Sequence, residues 1–173
     1  MNLPNKLTIM RVILIPFFVF FLLSPYFPAY GNYIAVAIFI VASLTDMLDG
    51  KIARKYNLVT NFGKFMDPLA DKILVTEALV YFIPLGLAPA WVVILILARE
   101  FLVTSLRLIA AGKGIVIAAD RWGKYKTATT MVWIAYALLM QHFWIGVPAA
   151  WALHVALMVL SLGLTLLSGA NYL

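Results

Sequence analysis

Six apolar runs, each roughly fifteen to twenty-two residues long, divide this chain at about Ile9–Leu23, Tyr33–Ile52, Phe65–Ile83, Ala90–Ala111, Lys126–Met140 and Val147–Leu167. That is the length a helix needs to cross a hydrocarbon layer of about 30 Å. Inside such a layer every peptide group must find its partner within the chain, so runs of this kind fold as helices. The constraint sets the fold class: all-α, a polytopic membrane protein of six transmembrane helices with a short N-terminal interfacial segment, MNLPNKLT. Pro4 suits a turn or a first helical position there, and Thr8 is placed to cap the helix that follows. Pro16 inside the first run predicts a kink, which membrane helices tolerate. A hydrophobic content of 65% in 173 residues exceeds what a soluble core of that size requires. No repeat or composition break divides the chain, so residues 1–173 read as a single membrane domain.

The positive charges orient it. The breaks at 25–32, 84–89 and 141–148 carry no lysine or arginine, whereas the basic residues gather at the N-terminus, around 51–64, and from Arg99 to Lys126. Positive residues stay on the cytoplasmic side, which predicts a cytoplasmic N-terminus and C-terminus. Tyr33, Trp91, Trp144 and Trp151 fall near the uncharged ends, where an aromatic belt is expected. Lys6 and Arg11 stand at the start of the first run, and no small-residue cleavage site follows it, so this start reads as a retained anchor in a cytoplasmic membrane. A net charge of +6 that sorts to one membrane face points to lipid headgroups and anionic substrates, with no nucleic acid. The absence of cysteine excludes disulfides and thiolate metal sites.

Against this background Asp46–Asp71 stands out, because it holds four of the seven acidic residues. Its pattern is D-x2-D-G-x2-A-R-x8-G-x3-D-x3-D, on Asp46, Asp49, Gly50, Ala53, Arg54, Gly63, Asp67 and Asp71. One carboxylate at the centre of a membrane helix costs about 2.5–3.5 kcal/mol, and ionisable groups kept at that cost mark function. Asp46 and Asp49 are three apart and Asp67 and Asp71 four apart, so each pair shares a helix face. Counted from Tyr33 and from Ile83, both pairs lie about 18–20 Å down their helices, at one depth in the cytoplasmic third. Four converging carboxylates would repel, and hard divalent cations accept such oxygen ligands. Gly50 and Gly63 leave room for a bulky group, and Arg54 can fork onto a phosphate. Asp67 precedes Pro68, which by itself suggests a helix start there. The bland alternative is an interfacial pair of acids at a span's end.

A second cluster comprises Ser105, Arg107, Lys124, Lys126 and Thr127. Ordinary cytoplasmic decoration explains Lys113 and Arg121. Lys124 and Lys126 open a helix, where the dipole favours anions, so they and Arg107 either are decoration too or form a phosphate pocket. Glu77 reads as a protonated or paired structural group, Arg99 and Glu100 as a local pair, and His142 and His154 as structural or interfacial.

The Asp46–Asp71 pattern resembles the signature of the CDP-alcohol phosphotransferases without a departure, and the similarity extends to LPNKLTIMRVILIP, FGKFMDPLADKILV and WGKYKTATTM. The resemblance implies six helices, a homodimer, and a polar cavity open to the cytoplasm. It implies CDP-diacylglycerol and sn-glycerol 3-phosphate as substrates, with membrane lipids as partners. It implies Mg²⁺ or Mn²⁺, two ions, on Asp46, Asp49, Asp67 and Asp71, with Asp71 also taking the proton from the attacking hydroxyl. Gly50, Arg54, Thr60 and Gly63 would line the CDP-diacylglycerol site, closed by Asn5, Thr8 and Arg11. Arg107, Lys124 and Lys126 would grip the acceptor's phosphate. The sequence departs from the expected pattern in ending at Asn171-Tyr172-Leu173 without a basic tail. Other readings are another polar alcohol as acceptor, such as inositol phosphate or serine, and a divalent-cation transporter. Transporters favour midplane sites between repeated halves, and neither is visible here.

Overall fold

A computed structural model describes the backbone of residues 3–24, 26, 30–55, 61–113, 121–141 and 147–171; side chains are described within these except at 3–5, 47, 49–55, 61–68, 71 and 111. It is all-helical. The helices are α1 (Leu3–Leu23), α2 (Gly31–Lys55), α3 (Asn61–Phe82), α4 (Ala90–Gly112), α5 (Arg121–Met140) and α6 (Pro148–Ala170). The described residues contain no strand.

Each apolar run became one helix, and the differences lie at the starts. The expected break at Thr8 is absent: α1 is continuous from Leu3 through Pro16, and Thr8 is buried inside it rather than capping it. Nothing in Leu3–Thr8 opposes the helix, since Pro4 falls in the first turn, where its missing N–H is no loss. Likewise α3 begins at Asn61 and runs through Pro68, so the helix start expected at Asp67 is not there. The fifth helix begins at Arg121, a turn before Lys126. Pro148, preset for a helical φ, stands at the head of α6.

Two compact units are formed, Met1–Ala78 and Leu79–Leu173. In the first, α1 packs on α2. The α1 face is Thr8, Arg11, Ile15, Phe18 and Leu22, and the α2 face is Ala35, Val36, Phe39, Ala42 and Thr45, all buried. Steps of three and four along α1 make a single stripe down the helix. Phe18 meets Phe39 with ring centroids 6.0 Å apart. Ala35 and Ala42, one turn to either side, let the backbones approach, as small residues do between membrane helices.

In the second unit α6 packs on α5 and α4. Thr130 and Ser161 share a hydrogen bond of 2.6 Å between their hydroxyls, and the Tyr136 hydroxyl donates to the Ala150 carbonyl at 3.0 Å. Phe82 meets Trp133 edge-on at 5.6 Å. The turn after α3 places Gly86 at φ 69°, a left-handed conformation that suits glycine. It also brings the Leu87 carbonyl within 2.7 Å of His154 Nε2. A carbonyl only accepts, so Nε2 is the donor. His154 thus has the structural role the sequence suggested.

Among the described residues, Lys6–Leu23 and Pro148–Ala170 are long and apolar enough to cross a membrane, and Gly31–Asp46 is a shorter apolar helix. The pattern on α6 is inverted relative to a soluble protein. Its buried residues are Ala150, His154, Ser161, Thr165 and Ser168, whereas Leu153, Val159, Leu160, Leu166 and Leu167 are exposed. Only 22% of this span is buried, far less than a soluble core helix would show.

Candidate active site

The α1–α2 pairing has a direct consequence for the acidic signature. Seven residues back along α1 from Phe18 lies Arg11, and seven residues on along α2 from Phe39 lies Asp46. Two helical turns return each to the same face, and Arg11 Nη1 meets Asp46 Oδ1 at 2.5 Å. Arg11 is fully enclosed, its side chain 1% exposed, while that of Asp46 is 31% exposed. A buried guanidinium requires a counter-charge, and the first aspartate of the signature supplies it. Thr8, one turn away on the same stripe, is buried as well. So the N-terminal helix is drawn onto the signature through Arg11.

The rest of the signature is placed by backbone alone. Asp46, Asp49, Gly50 and Arg54 lie on one uninterrupted helix. Gly63, Asp67 and Asp71 lie on another, whose residues up to Ala78 belong to the same compact unit. The three-residue and four-residue spacings therefore keep each acidic pair on one helix face. The side chains of Asn5, Asp49, Gly50, Arg54, Gly63, Asp67 and Asp71, and Thr60 altogether, lie outside the described residues. Among the described residues no three potential ligands cluster.

The basic cluster belongs to the second unit, and its geometry is sharper than the sequence implied. Positions 124 and 126 are two apart, about 200° around a helix. Lys124 is exposed, whereas Lys126 is buried with its side chain 3% exposed. Lys126 Nζ lies 2.6 Å from Glu100 Oε1 on α4. The same oxygen accepts a hydrogen bond from Arg99 Nη1 at 2.8 Å, so the expected Arg99–Glu100 pair exists but is part of something larger. Arg99 Nη2 donates to Ser168 Oγ on α6 at 2.7 Å, and Ser168 Oγ in turn donates to the Thr165 carbonyl at 3.1 Å. A Cβ added at Gly169 would come within 3.2 Å of Arg99 Cγ, so the arginine stem lies against this glycine. Arg107 is half-buried, Ser105 is exposed, and Thr127 donates to the Gly123 carbonyl at 3.0 Å.

Sequence reasoning missed Arg99 and Glu100 as members of this cluster. The signal was present: ionisable groups of opposite sign inside apolar runs need partners, and Glu100 had two candidates. Chemically, one carboxylate between two cations leaves an excess positive charge in a poorly hydrated place, which suits an anion.

The CDP-alcohol phosphatidyltransferase profile matches residues 1–167. A CDP-diacylglycerol–glycerol-3-phosphate 3-phosphatidyltransferase of Bacillus subtilis (strain 168) is 50% identical, over 80% of this chain and 77% of its own. An Escherichia coli (strain K12) protein of the same name is 37% identical over 99% of this chain and 93% of its own. One from Haemophilus influenzae is 37% identical over 90% and 85%.

Proposed function

The chain belongs to the CDP-alcohol phosphatidyltransferase family, and on that footing we propose metal-assisted transfer of the phosphatidyl group of CDP-diacylglycerol to sn-glycerol 3-phosphate. The products are phosphatidylglycerol phosphate and CMP. The observation that carries this reading is the unbroken signature on two continuous helices of one unit, with the buried Arg11 drawn to its first aspartate. Relatives 37–50% identical, each bearing the name of that activity, support the same acceptor.

Asp46, Asp49, Asp67 and Asp71 are the residues that would hold divalent cations, Mg²⁺ or Mn²⁺. The donor set fits, being all hard oxygen, and the Asp46 side chain stays 31% exposed beside Arg11. Cations held by these residues would supply positive charge to offset the pyrophosphate and the departing CMP. The acceptor hydroxyl oxygen attacks the phosphorus that carries diacylglycerol, the bond from that phosphorus to the oxygen of CMP breaks, and Asp71 receives the hydroxyl proton. Gly50, Arg54, Thr60 and Gly63 hold the CDP end, with Asn5, Thr8 and Arg11 closing it. Arg107 and Lys126 hold the acceptor's phosphate by charge-assisted hydrogen bonds, and the exposed Lys124 adds longer-range attraction for it. Catalysis is then positioning and electrostatics, as in phosphoryl transfer generally.

All six helices cross the cytoplasmic membrane, with the N-terminus and the site on the cytoplasmic side and a second copy as partner in a homodimer. Exposed Phe17, Phe20, Val41, Ile94, Leu102, Val132 and Leu160 along five of them support a lipid surrounding. The test is CMP release by the purified protein from CDP-diacylglycerol with labelled glycerol 3-phosphate, inositol phosphate or serine. Release with glycerol 3-phosphate is expected. Release only with one of the other two would replace the acceptor.

A further inference from the structure

We infer that Glu100 is a positioning residue for the acceptor's phosphate: it holds the Lys126 ammonium and the Arg99 guanidinium together through one carboxylate oxygen. The inference rests on the acceptor pocket proposed above and adds to it two residues that the sequence left as a local pair. Lys126 ends a flexible four-carbon stem, and an ammonium group is a strongly hydrated point charge. Left alone at a buried position it would lose its hydration or swing toward water. The structure instead fixes Nζ at 2.6 Å from Glu100 Oε1. That oxygen is itself fixed by Arg99 Nη1 at 2.8 Å, and Arg99 is tied to Ser168 at 2.7 Å with its stem against Gly169. Thr104 donates to the Glu100 carbonyl at 2.7 Å, one turn along α4. Groups from α4 and α5 therefore meet on one carboxylate, and α6 braces the arginine.

The charge pattern explains why a carboxylate belongs in a phosphate site. Arg99 and Lys126 would repel each other at this separation, and Glu100 offsets one of the two charges. The trio keeps a net positive charge, so a phosphate is still attracted, while the cations stay charged and aimed before it arrives. Preorganisation of this kind saves the ordering that a free lysine would undergo on binding. An opposing effect is possible in principle, in which Glu100 repels the phosphate, and the sign of the change in KM separates the two.

The experiment measures KM for glycerol 3-phosphate, KM for CDP-diacylglycerol, and kcat in Glu100→Gln, Glu100→Asp, Lys126→Met and the double variant Glu100→Gln/Lys126→Met. Glu100→Gln is expected to raise the acceptor KM about tenfold, with kcat and the CDP-diacylglycerol KM changed less than about twofold. Glu100→Asp, which keeps the charge on a shorter stem, should rise less. In the Lys126→Met background the glutamine should add less than it does in the parent, only the part that runs through Arg99. A general structural defect would instead move both KM values and persist at full size in the double variant. An unchanged or lowered acceptor KM in Glu100→Gln overturns the inference. Should that variant fail to fold, an unchanged acceptor KM in Glu100→Asp does the same. If Lys126→Met itself leaves the acceptor KM unchanged, the acceptor pocket fails and this inference with it. A raised KM in Lys126→Met beside an unchanged one in Glu100→Gln removes Glu100 alone.

Discussion

The Arg11–Asp46 pair should be asymmetric in stability, because its two members differ in exposure. Replacing Asp46 by Asn removes a counter-charge from a guanidinium that is 1% exposed. Breaking a buried pair in this way costs about 3–5 kcal/mol. Replacing Arg11 by Met fills similar volume and leaves a carboxylate that is 31% exposed and can be hydrated, so the loss should be about 1–2 kcal/mol. Relief of repulsion between Asp46 and Asp49 works the other way in Asp46→Asn, yet like charges a turn apart are worth only about 0.2–0.5 kcal/mol. It does not reverse the order. A double variant, Arg11→Met/Asp46→Leu, removes both charges and should come within about 1 kcal/mol of the parent. For a chain of this size 1 kcal/mol moves Tm by about 2–4 °C. Thermal unfolding in one detergent, with chelator present, should therefore place Asp46→Asn about 4–8 °C below Arg11→Met. Equal midpoints, or Arg11→Met the lower, would refute the claim that burial of the arginine sets the cost.

Three other outcomes are expected. Excess chelator should abolish CMP release and Mg²⁺ or Mn²⁺ restore it; the ion at a hundred times its Kd should also stabilise the fold by about 2.7 kcal/mol. That stabilisation should vanish in Asp49→Asn and Asp67→Asn, and its survival there would displace the metal from the signature. Lys126→Ala should lower kcat/KM for glycerol 3-phosphate about tenfold to a hundredfold, the value of a charge-assisted hydrogen bond, whereas exposed Lys124→Ala should lose no more than about fivefold; the reverse order would move the phosphate to the outer face of α5. Single cysteines at Asn32 and Leu85 should react with an impermeant reagent from outside intact cells, and labelling only after permeabilisation would invert the orientation.

What the sequence made legible was what periodicity and cost control. Six apolar runs gave six helices, the structure in which an apolar run satisfies its own backbone groups. The Asp46–Asp71 spacing placed its acids in pairs because a helix repeats every 3.6 residues. Starts of helices were less legible: Thr8 and Pro68 carry capping and breaking signals that the longer helices α1 and α3 override. Pairings between helices were not legible at all. Arg11 with Asp46 depends on the α1–α2 register, which Phe18, Phe39 and the small Ala35 and Ala42 set jointly. Glu100 with Lys126 depends on how α4, α5 and α6 meet, and the nearer Arg99 offered a sufficient local partner that concealed it.

The two polar clusters obey one electrostatic rule with opposite signs. In the signature, Asp46 meets an enclosed arginine on the neighbouring helix. In the α4–α6 cluster, an arginine and a lysine share one glutamate. A low-dielectric interior does not tolerate a bare majority charge, so in each cluster a charge of the opposite sign is drawn in. With the four aspartates gathered as proposed, the first cluster would keep a negative excess for divalent cations to balance, and the Arg99–Glu100–Lys126 trio keeps a positive one for a phosphate to balance. A protein that fully neutralised both clusters from its own side chains would be more stable without ligands and would bind neither.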